Sequence, residues 1–212
     1  MTTLATMKAR IADELARDDL TSQIGTAITT AIEAYQRTRF AFNESRDITF
    51  ATVADQEFYG VAANPLIPNL YRIDFANILI GNTVCDLVRR RHQVLEDLSN
   101  NATAKGQPFN YAYYDKQIRL YPVPTSSTWT VRIAAHVKLP APATDAETGN
   151  AWMTDAERLI RARAKQELFA HVLYDLEKAG VMNQAAQDAL DELKGEEALQ
   201  TGVGMIASSE DC

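Results

Sequence analysis

The stretch Trp129-Thr-Val-Arg-Ile-Ala-Ala-His-Val-Lys-Leu139 sets Trp129, Val131, Ile133, Ala135, Val137 and Leu139 against Thr130, Arg132, Ala134, His136 and Lys138. A period of two sustained this long predicts a strand with one face in a core and the other in water. Residues 140–150, Pro140-Ala-Pro-Ala-Thr-Asp-Ala-Glu-Thr-Gly-Asn150, read as a linker by their prolines and small polar side chains. Thr154-Asp-Ala-Glu157 then fits a capping box, threonine hydroxyl and glutamate each answering an unpaired backbone N–H at a helix start. From there the period changes to three and four. Leu159, Ala162, Gln166, Phe169, Leu173 and Leu176 form one stripe, and Ile160, Ala164, Leu168 and Val172 a second, so the helix predicted here has two contacted sides. Gly180 is expected to end it in a left-handed conformation, Asn183 to cap a shorter helix, and Gly195 to close that one.

Working back from the strand, residues 46–140 gather β-branched and aromatic side chains into short runs separated by Gly, Pro and Asn. Arg72–Ile80 and Thr83–Val88 flank Gly81-Asn82 as a hairpin, and Phe109–Tyr114 and Gln117–Tyr121 flank Asp115-Lys116 as another. A short helix is expected between Arg89 and Ser99. Before this region the pattern is helical: Leu4, Met7, Ile11 and Leu15, a break at Asp18-Asp19, then Leu20, Ile24, Ile28, Ile32 and Tyr35. Phe40 and Phe42 follow and are expected to anchor the next lobe.

The order is helices, strands, helices, which predicts an α+β fold: a helical bundle built from the N- and C-terminal helices, with a central antiparallel β lobe. The boundaries are 1–45 for the N-terminal helix pair, 46–140 for the β lobe, 141–153 for a linker, 154–199 for the C-terminal helices and 200–212 for a mobile tail. A chain of 212 residues with 46% hydrophobic and 23% charged side chains falls among folded globular proteins, outside the disordered, collagen-like and coiled-coil classes. The net charge of −7 argues against a surface made to grip phosphates. Asp188, Asp191, Glu192, Glu196, Glu197, Glu210 and Asp211 oppose Lys194 alone after Gly180, so −6 of that charge sits in the last 32 residues. Cys85 and Cys212 form no CxxC pair, so neither zinc nor a disulfide framework is expected, and the fold is expected to form in a reducing compartment. The first twenty residues carry charges throughout, unlike a signal peptide, and no apolar run reaches membrane-spanning length.

The inventory for catalysis is thin. His92, His136 and His171 lie in three different segments with no metal-ligand spacing, and the hydrolase elbow, phosphate-binding loop and dinucleotide fingerprint are all missing. The carboxylate pairs Asp13-Glu14, Asp18-Asp19 and Glu196-Glu197 read as solvated charge. Arg89-Arg-Arg91 reads first as solvated or paired, and second as a contact for phosphate or an acidic partner. Arg158, Arg161, Arg163 and Lys165, spaced by 3, 2 and 2, wrap around the predicted helix rather than tracking one side, which points to intersubunit ion pairs more than to a nucleic-acid track.

Five stretches then occur in order: Ala31-Ile-Glu-Ala-Tyr-Gln-Arg-Thr-Arg-Phe-Ala-Phe-Asn-Glu44, Thr49-Phe-Ala-Thr-Val-Ala-Asp-Gln-Glu-Phe-Tyr59, Gly106-Gln-Pro108 leading to Tyr111-Ala-Tyr113, Ile118-Arg-Leu-Tyr-Pro-Val-Pro124, and Trp152 before the last helices. This succession resembles the adaptor, or head-to-tail connector, proteins of short-tailed bacteriophages and related prophages. Ala51 departs from the threonine often found there, and the end after Gly180 does not match position by position. The resemblance implies a virion structural protein, without catalysis or cofactor, in the neck between capsid and tail. It implies a ring of twelve copies that docks on the portal ring, extends the DNA channel without sequence-specific binding, and offers a platform for tail nozzle or tail fibre proteins. Leu199, Val203, Met205 and Ile206 are the expected portal-binding anchors, and Arg158, Arg161, Arg163 and Phe169 the expected intersubunit residues. Two alternatives stay open: another tail-side ring protein such as a stopper or tail-completion factor, and an enzyme whose site pairs His136 or His171 with a carboxylate.

Overall fold

The computed structural model describes residues 2–99 and 104–200, and the fold is α+β. The chain forms two compact units: a helical one from the residues up to Phe42 together with those from Leu139 onward, and a β unit spanning Asn43–Lys138.

In the helical unit, α1 (Leu4–Leu15) and α2 (Thr21–Tyr35) are joined by a short connection at the predicted break. A capping box starts α1, with Thr3 as N-cap and Thr6 at N3. The box expected at Thr154 does not form. That hydroxyl instead donates to Asn150 O and Asp155 Oδ2, and Asn150 caps the short helix α4 (Ala151–Thr154) by accepting from Trp152 N–H. The longer helix α5 runs from Glu157 to His171 and α6 from Leu176 to Gln200.

Gly180 and Gly195, expected to end helices, lie inside α6, and Asn183 is interior to it rather than a cap. The break falls earlier, at Tyr174, whose φ of 54° is left-handed. Asp175 restarts the helix, its Oδ1 accepting from Lys178 N–H at 3.0 Å. That hydrogen bond holds the Asp175 carboxyl below its ordinary range. Helix continuity here outweighs the glycine penalty of about 1 kcal/mol per residue because α6 packs along α5.

The core of this unit joins Met7 and Ile11 of α1, Ile24, Ile28 and Ile32 of α2, and Leu159, Ile160, Ala164 and Leu168 of α5. The small residues Ala186 and Ala189 of α6 complete it. Both sides of α5 are therefore occupied, by α2 and by α6. Phe40 and Phe42 also belong to this unit, not to the β lobe they were expected to anchor. Their rings stack at 4.9 Å and meet Trp152 edge-on at 6.0 and 5.2 Å. Nor is the 141–153 segment a free linker: Asp145 accepts from Ala5 N–H through its backbone oxygen and pairs with Lys8 at 2.6 Å.

The β unit holds β1 (Glu44–Ala51), β2 (Phe58–Tyr59), β3 (Leu70–Ile80), β4 (Thr83–Asp86), β5 (Val88–Arg89), α3 (His92–Ser99), β6 (Lys105–Gly106), β7 (Asn110–Tyr114), β8 (Gln117–Tyr121), β9 (Val123–Pro124) and β10 (Thr130–Val137). One sheet has the order β1-β10-β3-β4, another β2-β8-β7-β5, and β6 pairs with β9. The expected antiparallel pairing holds except for β5–β7 and β6–β9, which are parallel. Both predicted hairpins form. Gly81 is left-handed at the first loop position (φ 59°), as a two-residue turn demands, while Asp115 and Lys116 are both left-handed in the other. Phe50 of β1 stacks on Tyr59 of β2 at 4.8 Å and so ties the two larger sheets together.

A Cβ added at Gly180 meets nothing within 4 Å. Gly180→Ala is therefore expected to stabilise the protein by about 0.5–1 kcal/mol in urea unfolding, through the entropy of the unfolded chain. A loss of stability would instead mean that Gly180 is left-handed and that α6 breaks there.

Candidate assembly surfaces

The most constrained polar group is Arg119 of β8, only 3% exposed. Its Nε donates to Glu57 Oε1, one terminal nitrogen donates to Glu96 Oε1 at 2.7 Å, and the other to Ser99 Oγ at 3.0 Å. The guanidinium also lies over the Phe58 ring, 5.3 Å from its centroid. One side chain thus ties β8 to the segment before β2 and to the middle and C-terminal end of α3, and the fork geometry of arginine is what lets three acceptors be served at once. No sequence reading singled out Arg119; the signal was its place in Ile118-Arg-Leu-Tyr, a charge inside a strand whose Leu120 and Tyr121 are also buried.

His136 was expected on the polar face of its strand but is 1% exposed. Register shifts in the β3–β10 pairing on either side of His136 turn it inward. Its Nε2 lies 3.1 Å from Glu44 Oε1 and its Nδ1 3.0 Å from Asp74 Oδ2, the second contact close in distance but poorly directed for a hydrogen bond. The imidazole is sealed between strands β1 and β3 and has no room for a substrate atom. His171 is the opposite case, largely exposed and 3.4 Å from Glu167 Oε2 on its own helix. It borders a shallow groove of ≈ 330 Å³ between α2 and α5, with Gln23, Thr26 and Thr30 on the far wall. Among the described residues, no cluster of three or more His, Cys, Asp and Glu side chains is placed to hold a metal ion. No helix among them is long and apolar enough to cross a membrane.

The residues expected between subunits all lie on α5, and the structure gives each an intrachain neighbour. Arg158 pairs with Glu192 at 2.7 Å, Arg161 with Glu14 at 2.9 Å and Arg163 with Glu167 at 2.8 Å. Glu14 also holds Lys165 at 2.6 Å. Phe169 lines a cavity of ≈ 200 Å³ with Leu15, Val181 and Met182, and Lys178 Nζ sits over its ring at 5.6 Å. Of the expected portal anchors, Val203, Met205, Ile206 and the Leu199 side chain lie outside the described residues, as does the tail beyond 200. Arg89, Arg90 and Arg91, by contrast, are exposed and line a cleft with His92, Tyr113 and Tyr114.

Because Arg119 is buried with its charge fully partnered, truncating it leaves the mostly buried Glu57 without its cation, while the more exposed Glu96 keeps His92. Arg119→Ala is expected to lower stability by about 3–5 kcal/mol. Arg119→Lys recovers only part of that, since an ammonium does not reproduce the three-way fork. Glu14→Gln, at a partly exposed pair, changes stability by about 1 kcal/mol or less. Urea unfolding followed by circular dichroism ranks the three, and an Arg119→Ala protein as stable as Glu14→Gln contradicts the assignment of Arg119 as the tie.

No curated protein matches the chain. A match to a protein family runs from residue 2 to residue 206, through the N-terminal helices, the β unit and the C-terminal helices alike, and that family is described as the SU10 adaptor protein, a structural protein of phages. With nearly the whole sequence matched, Trp152 and the Arg119 stretch included, the chain belongs to the SU10 adaptor protein family.

Proposed function

We propose that this protein is the head-to-tail adaptor of a short-tailed phage, a subunit of a ring of twelve that docks on the portal, extends the DNA channel and carries the tail. The family match over residues 2–206 carries this reading. In it the protein acts by shape in the virion neck and transforms no molecule. It is made in the cytoplasm of the host and has no cofactor. The ring meets three kinds of partner: the portal, copies of itself, and tail nozzle or tail fibre proteins.

The net charge of −7 per chain supports the channel role, since a negative wall repels DNA phosphates and lets a duplex slide. Leu199, Val203, Met205 and Ile206 are the proposed portal anchors, apolar side chains at the end of a strongly acidic segment. Arg158, Arg161, Arg163 and Phe169 are the proposed intersubunit residues. Arg158 is the most available of the arginines, its side chain 64% exposed in a pair whose carboxylate is also in water. A surface pair of that kind is worth at most about 1 kcal/mol and exchanges readily for a partner across an interface.

Mixing the purified chain with portal and weighing the product tests the reading: the expected outcome is a ring-sized complex of fixed stoichiometry. Truncation after Lys194 keeps α6 side chains packed on the core, Ala186, Ala189 and Leu193 among them, and is expected to abolish portal binding while the circular dichroism loses only the signal of the six α6 residues removed. Unaltered binding by the truncated chain removes the tail anchors, and no association of the full chain removes the adaptor reading itself.

A further inference from the structure

Two surfaces of this chain concentrate exposed charge of opposite sign. In the β unit the chain leaves β5 through Arg89, Arg90 and Arg91, all exposed. Arg90 N–H donates to Tyr111 O at 2.8 Å, and Arg90 Nε donates to the buried Asn110 Oδ1 at 3.2 Å, so the run is fixed at the end of β7. With His92, Tyr113 and Tyr114 the three arginines line an open cleft of ≈ 500 Å³. His92 stacks on Tyr114 at 4.5 Å along one wall. Among the described residues none of the three arginines has a carboxylate at ion-pair distance. Glu96 on the following helix is committed to His92 at 3.0 Å and Arg119 at 2.7 Å.

The opposite sign collects on α6. Glu177, Asp188, Asp191, Glu192 and Glu196 are exposed, and at 100° per residue they share one side of the helix; Lys178, paired with Asp175, lies at its edge in line with Glu196, Arg158 pairs with Glu192, and Lys194 falls on another side. Asp188 and Asp191 accept from the amides of Gln184 and Gln187 and meet no cation among the described residues. The buried side of α6, with Ala186 and Ala189, faces the core, so the acidic side is the one left for a partner.

We infer that the arginine cleft receives the acidic side of α6 from a second copy of this chain. Two different surfaces of complementary charge, one on each unit, make a head-to-tail contact, and head-to-tail contacts are what close into rings. The inference rests on the ring reading above and names its interface. A nucleic-acid backbone is the other polyanion that fits such a cleft. The net charge of −7 disfavours it, and the chain itself supplies the carboxylates.

The test uses full-length chains carrying Arg89→Glu with Arg91→Glu, or Asp188→Lys with Asp191→Lys, all exposed positions. Sedimentation equilibrium at millimolar protein and low salt is expected to show wild-type self-association that high salt dissolves. Each variant alone associates at least about tenfold more weakly, from the loss of a charged contact. An equal mixture of the two associates again with the variants alternating, because the intact cleft meets the intact acidic side and the reversed cleft meets the reversed α6 side. A mixture no heavier than its components, or a wild type that stays monomeric, overturns the inference. So does a short DNA duplex that binds the wild type and is lost with Arg89→Glu and Arg91→Glu while self-association is unchanged. Portal association of the wild type is measured separately: binding to portal without self-contact sinks this interface alone, and self-contact without portal binding sinks the adaptor reading alone.

Discussion

Trp152 closes the helical unit at the place where the chain leaves it and comes back. The indole is fully buried, its Nε1–H donates to Leu139 O at 3.1 Å, and Gln36 Nε2 donates to the same oxygen at 3.3 Å. Leu139 is the first residue after the β excursion, and Phe42, which meets the indole edge-on, is the last before it. A helical unit whose sequence is interrupted by 96 residues, Asn43 to Lys138, has to hold both broken ends together. One aromatic cluster does so, with the burial of a large side chain and two hydrogen bonds on an otherwise unpaired carbonyl. The polar groups are satisfied where the chain turns, so the cluster fixes direction as well as proximity.

Much of this was legible in the sequence because it is periodic. The spacing through α1 and α2, the alternation along β10 and the two hairpin turns follow from steric rules that act within a few residues, and the structure has them. What escaped depends on partners far along the chain. Gly180 looks like a helix end because glycine enters the left-handed region cheaply, yet Tyr174 takes that conformation and Gly180 stays helical. The packing of α6 on α5 decides, and no local window contains it. Asp175, a good N-cap residue just before Leu176, was the readable sign of the true break. Thr154 looked like the cap because Glu157 follows at the right spacing, but Asn150 starts a separate turn first.

The same limit applies to the polar residues. His136 sits in a strand whose alternation puts it in water, and register shifts against β3 invert it. Arg119 is buried because Glu57, Glu96 and Ser99, from three places in the sequence, converge on it. Neither site has the features of catalysis: one is a charge balanced on every side, the other an imidazole sealed between strands. Both are costly to bury and fix the pairing of the elements around them, which is how buried polar groups most often serve a fold.

The two apolar stripes of α5 bear on how copies of the chain meet. Read from the sequence, they look like two sticky faces for a ring. In the structure α2 and α6 cover them, so α5 has no second apolar face to offer a neighbour. Two exposed surfaces are strongly charged: the arginine cleft on the β unit and the carboxylate side of α6. Charged contacts between exposed groups are individually weak and screened by salt, so a single pair of copies joined this way is short-lived. Held side by side on a template, the same contacts become intramolecular in effect and add along the ring. On the proposed function, the chemistry of the surface then sets the order of assembly: subunits joined by charged contacts meet only weakly in solution and close into a ring where a portal brings them together.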